Sequence, residues 1–347
     1  MDFNLDETQQ DVRRLAADVL AKEADEERLR QAGLLSLCVP EEAGGAGLGP
    51  VEMAVVLREV GMKAAALPGL PALAGTLALA RHGTPEQQRR HADGIALAVR
   101  EPGRALAAPP ETIAHDIAHD IAHDIAHDIA HDIAHDIAHD DGGWTLTGRK
   151  VTVMYPGAAA LVTAGEGLFL AEIPGTTPER TSTGEPAATV VLDGAPAERV
   201  AGPEAAADVR RLYTAAIVAQ ASGVLAGALE LTTAHIRTRR QFGRALAEFQ
   251  AVTMQIADVY IAGRALDVAM WSALWRLGEG LPAEEDLALA AYHAAEAVKA
   301  LHTCQHLHGG LGLDVTYPLH RYFAQAKHLS YLLGGADAQL DLIGALV

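Results

Sequence analysis

Two stretches near the C-terminal end carry residues able to grip a phosphorylated ligand. In "RTRRQFGRALAEFQ", Arg237 to Gln250, residues Arg239, Phe242 and Gly243 form an R-x-x-F-G motif. Gln241 lies inside it and Gln250 follows seven residues after Gly243. A planar guanidinium presents a fork of donors that matches two oxygens of a pyrophosphate. In "QHLHGGLGLDVTYPLHRY", Gln305 to Tyr322, a helical pattern ends in Gly309, Gly310 and Gly312. Glycines without a Cβ let a backbone amide come close to a phosphate. Taken singly, each stretch has a plainer reading. Arg239 is equally a solvated helix arginine, and the glycines equally a helix C-cap.

A third stretch is louder. The tetrapeptide Ile-Ala-His-Asp is written seven times from Ile113 to Asp140, and it holds seven of the sixteen histidines. Histidines at i and i+4 on a helix can chelate a divalent ion. A period of four, however, advances each residue type by roughly 40° per repeat around a helix, so the isoleucines hold no fixed face. As a strand, Ile and His share one face and Ala and Asp the other, and neither makes a coherent core surface. A ladder of equivalent ligands is not a site of fixed geometry. The reading is a loop expansion over 113–140, with no metal.

The elements that must position these motifs divide the chain into three textures. Residues 1–95 read as a helical domain. Val12, Leu15, Ala16, Val19 and Leu20 fall on one helical stripe. "GTPEQQRR" marks a helix start, with Thr84 as N-cap, Pro85 first and Gln87 third after the cap. "CVPEEAGGAGLG" is a glycine-rich loop, and Ala64 to Ala80 reads as buried helix with a break. Residues 96–203 read as a β domain, from "WTLTGRKVTV", "AATVVLDG" and the hairpin-type turn "DGG" at 141–143. Residues 204–347 read as a helical bundle, Ala/Leu-rich over 205–236, 246–279 and 284–307.

Composition bounds the rest. A chain of 347 residues, half of them apolar, can bury two or three cores. The formal charge of −18 argues against nucleic acid and anionic membranes as partners. The two cysteines, Cys38 and Cys304, have no metal or disulfide spacing and fit a reducing compartment. The acidic start "MDFNLDETQQ" has no signal-peptide character, so the expected location is the cytoplasm.

In this arrangement the motifs resemble the acyl-CoA dehydrogenase family over nearly the whole chain. "CVPEEAGGAGLGPVEMAVVLREVG" resembles its N-terminal helical domain and "GTPEQQRRHADGIALAVREPG" the passage into its middle β domain. "WTLTGRKVTVMYPG" resembles its β hairpin, and the two C-terminal stretches its bundle. The resemblance implies an α+β architecture: N-terminal helical domain, middle β domain, C-terminal four-helix bundle. It also implies FAD, tetramers built from dimers, and α,β-desaturation of an acyl-CoA, in which a carboxylate removes the α proton.

This chain departs from the family where that chemistry belongs. The family's base follows the second glycine motif, in a segment that here reads "YLLGGADAQ", with Leu332 or Leu333 at the position. Its other location, early in the first bundle helix, here offers Arg210 or Arg211. Neither side chain accepts a proton near neutral pH. The Trp-Ile-Thr/Ser stretch beside the flavin ring is here Thr152-Val153-Met154, Arg100 replaces the Thr of Thr-Glu-Pro, and Ala324-Gln325-Ala326 replaces Arg-Asp-Ala.

What survives is the share that a neighbouring subunit gives to FAD. By resemblance that share is Arg239, Gln241, Phe242, Gln250, His306, Gly309 and Gly310, with no catalytic residue in this chain. The pattern is most similar to the non-catalytic subunits of actinobacterial heterotetrameric (α2β2) steroid side-chain acyl-CoA dehydrogenases. That implies FAD shared with a catalytic acyl-CoA dehydrogenase subunit, which binds most of the acyl-CoA. Two alternatives stand beside it. One is a self-sufficient enzyme using a displaced carboxylate, Asp337 or behind it Asp314. The other is a flavin-free binding or regulatory protein on the same fold.

Overall fold

The structure is a computed structural model, and it describes residues 4–22, 25–117 and 143–347. Five helices come first: α1 (Glu7–Lys22), α2 (Glu26–Gln31), α3 (Pro50–Met62), α4 (Gly69–His82) and α5 (Pro85–Arg90). On α1, Val12, Ala16 and Leu20 are buried while Leu15 is 44% exposed, so the apolar stripe is narrower than its sequence suggests. At α5 the capping box forms as expected. Gln87 N–H donates to Thr84 Oγ1 at 3.3 Å, and Thr84 N–H donates to Gln87 Oε1 at 2.9 Å. Over the run Ala64 to Ala80 the expected broken helix is instead a non-helical start followed by one continuous helix through Pro71. Ala64 has φ +44°, and α4 starts afresh at Gly69.

The middle domain is one seven-stranded sheet. Its strands are β1 (Ala96–Ala98), β2 (Ile113–Asp116), β3 (Trp144–Met154), β4 (Ala159–Ala164), β5 (Gly167–Glu172), β6 (Thr176–Arg180) and β7 (Pro186–Ala201). The order is β1-β4-β5-β7-β3-β2, with β6 also on β7. Only β1 and β4 run parallel among these pairs. Leu146, Val162, Phe169, Val190 and Leu192 fill its apolar side.

One sequence expectation needs correcting here. The first Ile-Ala-His-Asp copy is not loop. Ile113–Asp116 is an edge strand, antiparallel to β3, with Ala114 opposite Leu146. Alternation decides this. Small Ala114 is buried, while Ile113 is 49% exposed. The remaining copies, beyond Ile117, and most of the expected 141–143 turn lie outside the described residues.

The C-terminal part is a bundle of α6 (Pro203–Thr238), α7 (Gln250–Gly278), α8 (Glu284–His308) and α9 (Leu319–Leu333), closed by α10 (Gly335–Leu346). The long α6 passes the length and hydropathy test for a membrane span, but 83% of that window is buried inside the protein. It is the central helix of the fold, and α3 crosses it at backbone contact. A Cβ on Gly223 would stand 1.9 Å from Arg58 O, and one on Gly61 would stand 2.2 Å from Gln220 O. Arg58 locks the crossing from the side, donating to Ser222 Oγ at 3.1 Å and to Asp267 at 3.3 Å.

Candidate functional site

The R-x-x-F-G stretch forms a tight hairpin at the end of α6. Arg239 N–H donates to His235 O at 2.8 Å, closing the helix. Two short strands follow, β8 (Arg240–Gln241) and β9 (Arg244–Ala245), with Gln241 paired to Arg244. The two turn residues both have positive φ, Phe242 at +52° and Gly243 at +79°. Such a turn suits Asn-Gly or Gly-Gly, whereas a bulky side chain there is strained by about 1–3 kcal/mol. Phe242 is also 92% exposed. Strain and exposure together have no stabilising role in an isolated chain. Arg237, Arg239, Arg240 and Arg244 make no ion pair among the described residues. Arg244 stacks over Phe249 at 5.0 Å, and Phe249 meets Phe242 edge-on at 6.4 Å. Gln250 opens α7 and is exposed.

The glycine stretch lies at the same end of the bundle. α8 ends at His308, and Gly309 takes φ +60°, ψ −139°, a conformation for glycine alone. A 3₁₀ turn, Gly309–Leu313, follows. Gly309 and Gly310 are exposed with open space where a Cβ would be. Gly312 differs, since its Cβ would stand 2.8 Å from Gln305 O, so it is needed for the turn itself. His306 is exposed beside it. The two motifs are joined by side chains that sequence reading missed. The rings of His235 and His308 stack at 4.2 Å. His308 Nδ1 lies 2.8 Å from Cys304 O and its Nε2 lies 3.2 Å from Tyr317 Oη. Burial pushes both histidines below the usual value, and for His235 the charges of His308 and Arg239 add to it.

The positions that resemblance assigns to the flavin ring are brought together elsewhere, and they bond to one another. Arg100 donates to Thr152 Oγ1 and to Tyr331 O, both at 3.3 Å, and its guanidinium lies 4.5 Å above the Tyr331 ring. Thr152 sits at φ +51°, an outlier for a β-branched residue, where β3 and β7 slip register. Glu179, also unseen from sequence, holds it. Glu179 accepts from Thr152 N–H at 2.9 Å, Thr152 Oγ1 at 3.0 Å and Thr189 Oγ1 at 2.7 Å. Burial raises the Glu179 pKa, but these bonds and Arg100 hold it below the usual carboxylate range. A carboxylate so filled with donors is a weak base. His328 is buried in the same cluster, pushed down to about 4 by burial and Arg100, and its Nε2 has no partner. Behind the cluster, fully buried Lys150 donates to Glu101 at 2.6 Å.

No base stands in the places where sequence comparison sought one. Leu332 and Leu333 are buried, each 1% exposed. Asp337 is exposed in the first turn of α10, and Asp314 is exposed and capped by Thr316. Arg210 and Arg211 line a cleft of about 290 Å³, with Leu106, Leu287 and Leu342 as its apolar wall. Its carboxylate, Glu284, accepts from Arg211 at 2.7 Å.

The sequence matches the family model for the acyl-CoA dehydrogenase N-terminal domain over residues 5–97 and that for the C-terminal domain over 208–347. Acyl-CoA dehydrogenase FadE28 of Mycobacterium tuberculosis is 36% identical, over 99% of this chain and 98% of that protein. The chain belongs to the acyl-CoA dehydrogenase family. A second relative in that family, FadE27 of the same organism, is 35% identical over 91% of this chain and 86% of its own length. Among solved structures, a variant of the Tcur3481–Tcur3483 steroid ACAD superposes with TM-score 0.83 at 34% identity, over 98% of this chain and 97% of that one. The ChsE4–ChsE5 complex from Mycobacterium tuberculosis superposes with TM-score 0.83 at 31% identity, over 99% and 98%. The family's α+β architecture is therefore that of this chain. The family uses FAD, and the two regions described above differ in what they offer such a group. The arginines without ion pairs and the open glycine turn suit a pyrophosphate, while the Arg100–Thr152–Glu179–Tyr331 cluster is closed by its own hydrogen bonds.

Proposed function

We propose that this chain is the non-catalytic subunit of a heterotetrameric, α2β2 acyl-CoA dehydrogenase. It gives Arg239, Gln241, Phe242, Gln250, His306, Gly309 and Gly310 to the phosphate end of an FAD whose ring lies on a catalytic partner. Bound FAD supplies the hydride acceptor, and the partner supplies the carboxylate and most of the acyl-CoA site. The substrate is a bulky thioester, a steroid side chain by analogy with the steroid ACAD among its structural relatives. The setting is cytoplasmic.

One observation carries this reading: the asymmetry between the two halves of the site. The cationic hairpin and glycine turn are open and unpaired, whereas the ring side is closed by its own hydrogen bonds and has no poised base. The test is flavin content. Expressed alone, the chain is expected to be colourless and inactive. Co-expressed with a catalytic acyl-CoA dehydrogenase-like chain, it is expected to purify as a yellow, active complex. A yellow and active homomer would overturn the proposal.

A further inference from the structure

A second cationic cleft lies away from the hairpin, and it does not depend on the reading above. It has a volume of about 370 Å³ and forms where the end of α3, the β6–β7 turn and the first turns of α9 meet. Lys63, Ser182, Thr183, His320, Arg321 and Gln325 face it, and no carboxylate lines it. Lys63 and Arg321 make no ion pair or side-chain hydrogen bond among the described residues.

The start of α9 runs against the usual preference. It has no side-chain cap and no acidic residue in its first turn, and His320 and Arg321 stand there instead. Cations belong at the other end of a helix, because the N-terminal dipole end is already positive. Their placement raises local positive potential at a cost that a bound anion offsets. His320 Nδ1 is fixed on Tyr317 O at 2.7 Å, leaving Nε2 unused.

A separate observation concerns Gln325, which is 3% exposed. Its Nε2 donates to Ala65 O at 2.9 Å, so the amide is oriented, yet its Oε1 has no donor. A buried acceptor left empty costs about 1–3 kcal/mol. Gln325 lines the cleft, and a hydroxyl or amine held beside the anion would satisfy this acceptor. Ala64, at φ +44°, holds the backbone strained at the same edge.

We propose that this cleft binds a phosphate monoester carried on a hydroxyl- or amine-bearing scaffold, as in a nucleotide. Arg321 and Lys63 take the phosphate and Gln325 Oε1 accepts from the scaffold, while the Ser182 and Thr183 hydroxyls stay bonded to Ala324 O at 3.0 Å and Thr181 Oγ1 at 3.2 Å. Titration calorimetry on the full chain with AMP, inorganic phosphate, coenzyme A and 3′-dephospho-coenzyme A tests it. AMP is expected to bind more tightly than phosphate, and at least tenfold less tightly to Arg321→Gln or Lys63→Gln. Gln325→Leu is expected to weaken AMP while leaving phosphate unchanged. Two outcomes support the site and name its source: tight AMP binding indicates a free nucleotide, and coenzyme A binding lost in the 3′-dephospho form indicates the thioester's own phosphate. No binding of any probe at millimolar concentration overturns the proposal. So does wild-type affinity in a folded Lys63→Gln or Arg321→Gln variant. Equal affinity for phosphate and AMP overturns the scaffold part.

Discussion

Arg239 is exposed and unpaired at the end of α6, so its side chain contributes nothing visible to the fold of the free chain. A charged hydrogen bond to a phosphate contributes about 1.5–3 kcal/mol. Arg239→Ala is therefore expected to cut flavin retention by the assembled complex roughly tenfold or more, read by absorbance after dialysis, while the melting temperature of the free chain stays put. Asp337→Asn, the control, should leave turnover unchanged. His328 makes a pH prediction. Its ordinary value of 6.5 is pushed down to about 4 in the fold. Between those values the unfolded chain binds more protons, so stability falls as pH drops from 6.5 towards 4 and is fully present above. His91, His235, His293 and His308 shift the same way and steepen the loss. A His328→Gln variant should lose less melting temperature over that range than wild type. Parallel curves would remove His328 from the account. At this scale the sequence exposed Arg100 and Thr152 as odd residues. It did not expose Glu179 or the His235–His308 stack, because both are long-range contacts without local pattern.

At the scale of elements, the long helices were legible because their apolar periodicity is sustained and their breakers are few. The α5 start was legible because its capping box is wholly local. Two features were not. The first Ile-Ala-His-Asp copy pairs as a strand because of β3, a partner that the repeat itself does not specify. The positive φ at Phe242 and Thr152 contradicts the residues' own preferences and is imposed by hairpin closure and by Glu179. The α3–α6 crossing offers a direct test. Helix propensity alone favours Gly223→Ala by up to about 1 kcal/mol. The new Cβ would stand 1.9 Å from Arg58 O, and overpacking of a close crossing costs about 3 kcal/mol. The clash wins, so Gly223→Ala should lower the melting temperature of the free chain. A neutral or stabilised variant would mean the two helices can separate without cost.

At the scale of the whole molecule, an acidic protein of formal charge −18 gathers four arginines without ion pairs on one small hairpin and the helix end leading into it. Close by in sequence to the glycine turn, Leu313 and Val315 are 73% and 74% exposed, and at the hairpin tip Phe242 is 92% exposed. Exposed apolar groups rimmed by charge mark an interaction surface. The free chain should therefore bind a hydrophobic dye such as ANS, and the signal should drop when the partner is added. Phe242→Ser should weaken that drop. Unchanged dye fluorescence on complex formation would place the interface elsewhere. The overall architecture was readable from three successive textures of sequence. The proposed division of labour was readable only as missing residues, and the closed polar cluster gives those gaps a physical form. The glycine contact between α3 and α6 has one more consequence. It welds the first helices to the bundle at the level of main-chain atoms, so grafting residues 1–95 from a relative would succeed only if the donor segment brought an equally slim ridge to meet Gly223.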